Sequence, residues 1–513
     1  MSWMRRRDLL QASLAATALS GTFGSILPKL ALAEDGTRLL RGSASGDYRA
    51  LVCVYLYGGY DCFSAVVPID GPTRTQYEDS RRGTGTGPGG GQQNPSDLRI
   101  ASADLVPLFQ DGTTTPISQG GSRYGLHPRM APLAQLFNQR RAAIVANVGP
   151  LVRPLNLADY NAGTVPVPAQ LYSHSDQTVL WQTPRADTSA RTGWGGRLAD
   201  VFFASNPNPR LSMNVSLDGE NVFQAGQSVL PYFVGDSGVE AIRTVGPESW
   251  RDHRRNTFNA MLARAHGHPF ERAMAQRVRT AEDVARELEV VLRSDRNPAN
   301  NGYLDDTYQP FWTAYGLPWQ RLDQGRAGLP RLGRQLLMIA RVMRQRLPLQ
   351  MTRQLFFAGV GGFDTHDNQN ADLPNLLGDV ASGIRGFYDV LAAAGIADKV
   401  TTFTASEFGR TLSNNGDGTD HGWGGHQFVI GDGVIGGRVY GQFPHLGLTG
   451  NPQNAGWGQL IPTLAADQYA ATMATWYGLP DAERNLIFPN VQHMVGTKVS
   501  IQGPNLGFMQ PFA

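Results

Sequence analysis

"QLFFAGVGGFDTHDNQ" (354–369), "LPNLLGDVASGIRGFYDVLAAAG" (373–395) and "KVTTFTA" (399–405), read together, set the fold class. QLFFAGV is a short apolar run ended by Gly361-Gly362, the pattern of a buried strand that enters a tight loop. The stretch 373–395 reads as a helix closed by Gly395, and KVTTFTA as a second strand. "RLGRQLLMIARVMRQRLP" (331–348) reads as a helix before the first of them. Alternation of this kind predicts an α/β protein, a sandwich on a mainly parallel sheet. Ligands in such folds collect at the carboxyl ends of the strands.

Working outward, "LVCVYLYGG" (51–59) has the same run-then-glycine form and is predicted to be the first core strand. "RMAPLAQLFNQRRAAIVANVG" (129–149) predicts a helix and then a strand near Ala143 to Val148. Residues 254–294 carry Phe258, Met261, Leu262, Val284, Leu288, Val291 and Leu292 at helical spacing. The segment around "GTGTGPGGG" (83–91) lacks apolar periodicity and reads as a flexible loop. We expect one elaborated domain over 34–513 with an insertion at about 205–330, and no internal repeat is visible.

The composition agrees with this. At 513 residues and 41% hydrophobic content the chain buries a large core, which excludes general disorder. Sixty Gly and 32 Pro beside only 17% charged residues point to long ordered connections rather than a helical bundle. A formal charge of +2, with no dense Lys/Arg stripe beyond the extreme N-terminus, gives no reason to invoke nucleic acid.

The first 33 residues read as an export signal. A basic start leads into a weakly apolar, Ala/Ser/Thr-diluted stretch that ends in Ala31-Leu32-Ala33. Arg6-Arg7 before Asp8-Leu9-Leu10 fits the twin-arginine form, which implies the twin-arginine translocase as a partner and a periplasmic or extracellular destination. Cleavage would remove four basic residues and one acid, taking the formal charge from +2 to −1. That route carries folded proteins, often with a cofactor already inserted. No later run approaches about 18 uninterrupted apolar residues, so no transmembrane helix is expected in the mature chain. Cys53 and Cys62 are too few and wrongly spaced for a thiolate metal site, and one disulfide between them is an open alternative.

Several polar groups fall just beyond the predicted strands. Asp61 follows the first, Asp364 and His366 follow QLFFAGV, and Ser406 and Glu407 follow KVTTFTA. "TDHGWGGHQFVIG" (419–431) adds Asp420, His421 and His426 before a strand-like segment. Asp, Glu and His without thiolates form a donor set for a divalent metal: Zn²⁺, Mn²⁺, Mg²⁺ or Ca²⁺. Asp61, Asp364, His366, Glu407, His421 and His426 are the candidate ligands. Four have a structural alternative: Asp61 as a helix cap, Asp364 as a turn acceptor, His366 as a loop histidine, Glu407 as the partner of Arg410. His421 and His426 are hard to explain by packing, since Gly422, Gly424 and Gly425 offer little to pack against.

"YSHSDQTVLWQT" (172–183) offers candidate catalytic residues. Ser173, His174 and Ser175 stand at the start of a predicted helix, where free N–H groups and the helix dipole favour an anion. A serine hydroxyl there could attack a phosphoryl or sulfuryl group beside a metal. Capping of the helix by Ser175 or Asp176 is the alternative.

The order of "YLYGGYD", "YGLHPRMAPLAQLF", "YSHSDQTVLWQT", "GWGGRLAD", "GFDTHDNQ", "SEFGRT", "DHGWGGHQFVIGDGVIGG" and "YAATMATWYGLPDAERNLIFPNV" resembles the bacterial domain of unknown function 1501 family over nearly the whole mature chain. That resemblance implies kinship with the alkaline phosphatase and sulfatase superfamily, a three-layer α/β/α, alkaline-phosphatase-like sandwich with insertions on its mainly parallel sheet, and a metal-assisted hydrolase ancestry. It places Asp61 at the first-strand metal Asp, Ser173 or Ser175 near the nucleophile, and Asp364 with His366 at a later Asp-His pair of shortened spacing. "SEFGR" resembles the superfamily's "SDHG" turn, but Glu407 replaces Asp and Phe408 replaces the metal-binding His. His421 or His426 then compensates, or the site holds one ion, or catalysis is lost. Three functions follow as expectations: a metal-dependent hydrolase of phosphate or sulfate esters acting on an anionic small molecule or envelope substrate; a degenerate relative that binds an anionic envelope component; or a structural or assembly protein of the cell envelope.

Overall fold

The computed structural model describes residues 47–511 apart from 83–95, 188–189, 209–210, 237, 239–251, 265–266, 294–295, 298–302 and 320–327. The expected signal segment, the Gly-rich loop at 83–91 and part of the insertion therefore lie outside the described residues. The core is a nine-stranded sheet. Its strands in chain order are β1 (Arg49–Leu56), β2 (Ala142–Gly149), β3 (Asn214–Ser216), β4 (Tyr232–Phe233), β5 (Arg353–Val360), β6 (Val400–Ala405), β7 (Gly425–Ile430), β8 (Val439–Tyr440) and β9 (Leu464–Ala465). The spatial order is β8-β2-β7-β6-β1-β5-β3-β4, with β9 also on β2.

β1 lies at the centre, parallel to β5 with Val52 opposite Phe356 and parallel to β6 with Val52 opposite Thr402. Every residue of β1, β2, β5 and β6 is buried. Near-continuous apolar runs suit β1, β2 and β5, since a parallel sheet is covered on both faces, whereas β6 (VTTFTA) is buried with three threonines among its six residues. Only β7 runs antiparallel to its neighbours β6 and β2. The carboxyl ends of β1, β2, β5 and β6 and the amino end of β7 thus share one edge.

Helices cover both faces. α1 (Gly71–Arg81), α2 (Ala131–Asn138), α3 (His174–Gln182), α4 (Trp194–Phe202), α5 (Arg331–Arg344), α6 (Gln369–Ala393) and α7 (Ala466–Tyr477) are the elements that matter here. α5 packs on β5 and against α6, which also meets α2; α7 packs on β1 and β2, and α4 on β5 and β3. These are the three layers of an α/β/α sandwich. A small antiparallel sheet of Val66–Pro68, Val106–Pro107, Ser118–Gln119 and Ser122–Leu126 stands beside it.

Two boundaries differ from the sequence reading. α6 starts at Gln369, so Pro374 lies inside it; a proline this near the start removes only one early backbone bond. Its end is as expected: Gly395 takes φ +66°, and Ile396 N–H returns to the Leu391 carbonyl at 3.0 Å. Of the stretch read as helical at 254–294, the described residues form the helices Asp252–Ala263 and Pro269–Arg293, and Pro269 begins the second. Cys53 and Cys62 are both buried and free, so the open disulfide alternative is not realised.

Candidate metal centre

The shared edge brings His174, Asp364, His366 and His421 together. Asp364 and His366 sit on the loop after β5, His421 on the loop entering β7, and His174 at the first position of α3. One donor atom each from His174, Asp364 and His421 lies within 4.8 Å of the others. His174 Nε2 is 3.3 Å from Asp364 Oδ2, and the Nε2 atoms of His366 and His421 are 3.1 and 3.2 Å from Asp364 Oδ1. The two Nε2 atoms of His366 and His421 face each other at 2.9 Å. Side-chain exposures of 38% for His174, 43% for Asp364 and 41% for His366 leave the cluster open to solvent on one side.

Each imidazole is also held from behind. His174 Nδ1 meets Glu407 Oε1 at 3.0 Å, His366 Nδ1 meets Asp420 Oδ1 at 2.9 Å, and His421 Nδ1 meets the Tyr172 carbonyl at 2.7 Å. Glu407 is itself fixed by the Gly58 N–H at 2.7 Å, and Asp420 by Asn415 Nδ2 at 3.0 Å. Phe408 is buried beneath the cluster, its ring centroid 5.0 Å from that of His174 and 4.6 Å from that of His421.

Arg410 donates to Asp364 Oδ1 at 2.6 Å and to the carbonyls of Gly58 and Thr419. Burial would raise the Asp364 pKa, but this guanidinium holds it below the ordinary carboxylate value. The Glu407 hydrogen bond raises the pKa of His174, whereas burial lowers that of His421.

Other predicted site residues are placed elsewhere. Asp61 is fully buried in a bidentate pair with Arg81, at 2.6 and 2.8 Å, and also accepts from Ser64 Oγ and Gln369 Nε2 at 2.6 and 2.8 Å. It caps the short helix Cys62–Ala65 through Phe63 N–H, so the capping alternative describes it and its lone pairs are spent away from the cluster. Burial opposes ionisation there, yet Arg81 keeps its pKa below the usual value. His426 lies within β7 rather than before it; its ring packs edge-on against Phe63 and Phe443, and Nδ1 accepts the Asn147 N–H at 3.1 Å. Glu407 stands behind His174, and Arg410, its expected partner, goes to Asp364 instead.

Ser173 caps α3, accepting the Asp176 N–H and donating to Asp176 Oδ2 at 2.6 Å, and Ser175 is exposed 3.3 Å from it. Among the described residues neither serine hydroxyl hydrogen-bonds to the four cluster groups. His174, read as a catalytic candidate, joins the ligand-type groups. The roles of Asp420, Arg410 and the Tyr172 carbonyl went unread: a main-chain acceptor leaves no trace in a sequence, although Asp420 next to His421 was a usable signal.

The sequence profile described as Protein of unknown function (DUF1501) matches residues 48–467. No curated protein matches the chain. No helix among the described residues is long and apolar enough to cross a membrane.

Proposed function

The chain belongs to the DUF1501 family, and from that premise we propose that it is an exported, metal-dependent hydrolase of phosphate or sulfate esters. The observation that carries this reading is the convergence of His174, His421 and Asp364, with His366 3.1 Å from the same carboxylate, at the carboxyl edge of a parallel sheet, open to solvent on one side. The donor set fits a divalent cation: neutral imidazoles and an ionised carboxylate are the forms that ligate. A cation held there would polarise an ester oxygen and make water a stronger acid.

The chain's own groups supply the rest. Arg410 fixes Asp364 in its ionised form, Glu407 and Asp420 orient two imidazoles, and the buried Phe408 ring packs against those of His174 and His421. Because the Ser173 hydroxyl is engaged by Asp176, water is the attacking group in this proposal. Kinship with the alkaline phosphatase and sulfatase superfamily is part of this proposal and would give the ester class, with a single ion: Phe408 stands where the resemblance puts a second-site histidine, and Asp61 is taken by Arg81. Passage through the twin-arginine translocase to the periplasm or exterior is part of the same proposal, on the strength of Arg6-Arg7 and the Ala31-Leu32-Ala33 end.

The test is turnover of an aryl phosphate and an aryl sulfate by zinc- or manganese-loaded protein. Turnover should vanish in His421→Ala and persist in Ser173→Ala and Ser175→Ala. Tight phosphate binding without turnover would select a second reading, a binder of an anionic envelope component, which the locked Asp61–Arg81 pair favours. Lysines in place of Arg6 and Arg7 should keep the precursor in the cytoplasm; continued export would remove that part of the proposal.

A further inference from the structure

Hydrogen-bond acceptors alone fix the state of three imidazoles. A backbone carbonyl cannot donate, so the 2.7 Å contact from His421 Nδ1 to the Tyr172 carbonyl requires a proton on Nδ1. Asp420 Oδ1 already accepts from Asn415, and Glu407 Oε1 from Gly58 N–H, so both act as acceptors towards His366 and His174. All three rings therefore carry hydrogen at Nδ1 when neutral. The Nε2 lone pairs of His366 and His421 then face each other at 2.9 Å, and all three rings present Nε2 to the Asp364 carboxylate at 3.1 to 3.3 Å. Lone pairs at such distances repel unless a cation lies between them.

Two further observations point the same way. Tyr172 has φ +73°, a left-handed conformation that a bulky aromatic residue rarely adopts, and its carbonyl is the one that holds His421. Asp364, Glu407 and Asp420 also bring three negative charges to the cluster against the one guanidinium of Arg410. The excess matches a dication.

We infer that the site takes one borderline transition ion of the Zn²⁺ class, ligated by Nε2 of His174, His366 and His421 and by Asp364, with Glu407, Asp420 and the Tyr172 carbonyl as positioning groups that are not ligands. This rests on the metal-dependent reading above and deepens it. Three nitrogens and one oxygen disfavour Mg²⁺ and Ca²⁺, which take oxygen ligands, and no thiolate is present to favour soft ions. Acceptors behind ligating histidines fix the tautomer and raise ligand basicity; their removal typically weakens metal binding about 10–100-fold.

The test is zinc affinity of the purified full chain by competition with a chromophoric chelator, for the wild type, Asp420→Ala and Glu407→Ala. One equivalent in all three, about 10–100-fold weaker in each variant and undisturbed by millimolar Mg²⁺ or Ca²⁺ in the wild type, is the expected result. If the wild type takes up no transition ion, the metal-dependent reading falls and this inference with it. If it binds zinc but the two variants bind as tightly, if Mg²⁺ or Ca²⁺ displaces the zinc, or if two equivalents bind, the inference alone is overturned. Glu407 is buried and its variant can misfold, so ¹⁵N spectra of imidazole-labelled wild type give an independent readout. Zinc should shift three Nε2 resonances while the matching Nδ1 atoms keep their hydrogens, and a shift at Nδ1 would refute the assignment.

Discussion

Replacing Asp61 by alanine tests whether this residue is a structural anion or a metal ligand. Both Asp61 and Arg81 have side chains with no solvent exposure, so screening by water does not weaken the pair. The carboxylate accepts two Arg81 bonds, one from Ser64, one from Gln369 and one from the Phe63 N–H. Its removal strands a buried guanidinium, for which breaking one side of a buried pair costs about 3–5 kcal/mol. For 513 residues, unfolding entropy is on the order of 1 kcal/mol/K, so the melting temperature should fall by roughly 3–5 °C if unfolding is two-state. Asp61→Leu with Arg81→Met should recover most of that loss, since a buried pair replaced by apolar groups of similar volume is often near neutral. The pH dependence has a definite sign. The folded pKa of Asp61 is depressed, so its stabilisation is full above the unfolded value of about 3.9 and is lost as pH falls below it. The assay is thermal unfolding at pH 7 and pH 3 with metal content measured alongside. Asp61→Ala that melts like the wild type at pH 7 but has lost its bound zinc would refute the reasoning and restore Asp61 as a ligand.

Burial pushes the His426 pKa down to about 3, so between that value and about 6.5 the unfolded chain binds a proton that the folded chain does not, and stability rises with pH. From pH 7 to pH 5 this group should remove about 2 kcal/mol of urea-measured stability, a dependence that His426→Asn lacks. At Gly58, φ +117°, a Cβ would come 2.3 Å from the Asp364 backbone nitrogen; Gly58→Ala should therefore weaken zinc binding as well as stability. Gly163→Ala, at φ +62° with nothing within 4 Å, should cost only about 1 kcal/mol and leave zinc affinity unchanged. Cys53 and Cys62, both buried and free, should resist a thiol reagent in native buffer and give two reactive groups in denaturant.

Much of the scaffold was legible in the residues alone. QLFFAGV and LVCVYLYGG, apolar runs that end at Gly-Gly, and KVTTFTA, a β-branched run, became the three central parallel strands because such runs have few other uses in an alternating α/β chain. Gly395 closed α6 for an equally local reason, its tolerance of a left-handed backbone. Asp364, His366 and His421 were legible as candidate ligands because each lies on a loop next to a strand at the edge where the parallel strands end.

Partnership decided the rest, and partnership is not local. Asp61 and Asp364 look alike as acids just beyond strands, yet one meets Arg81, 20 residues away, with Gln369, 308 residues away, while the other meets three imidazoles. Glu407 has Arg410 three positions along, but strand order brings His174 to it across 233 residues and turns Arg410 towards Asp364. His426 was separated from His421 by one fact of topology: β7 begins at Gly425, which draws His426 into the sheet and leaves His421 on the loop. The sequence alone thus determined which elements form and which edge carries the polar loops, since those follow from near neighbours. Which carboxylate is neutralised by a cationic side chain and which is left to face three histidines follows from the packing of segments hundreds of residues apart, and only the tertiary structure decides it.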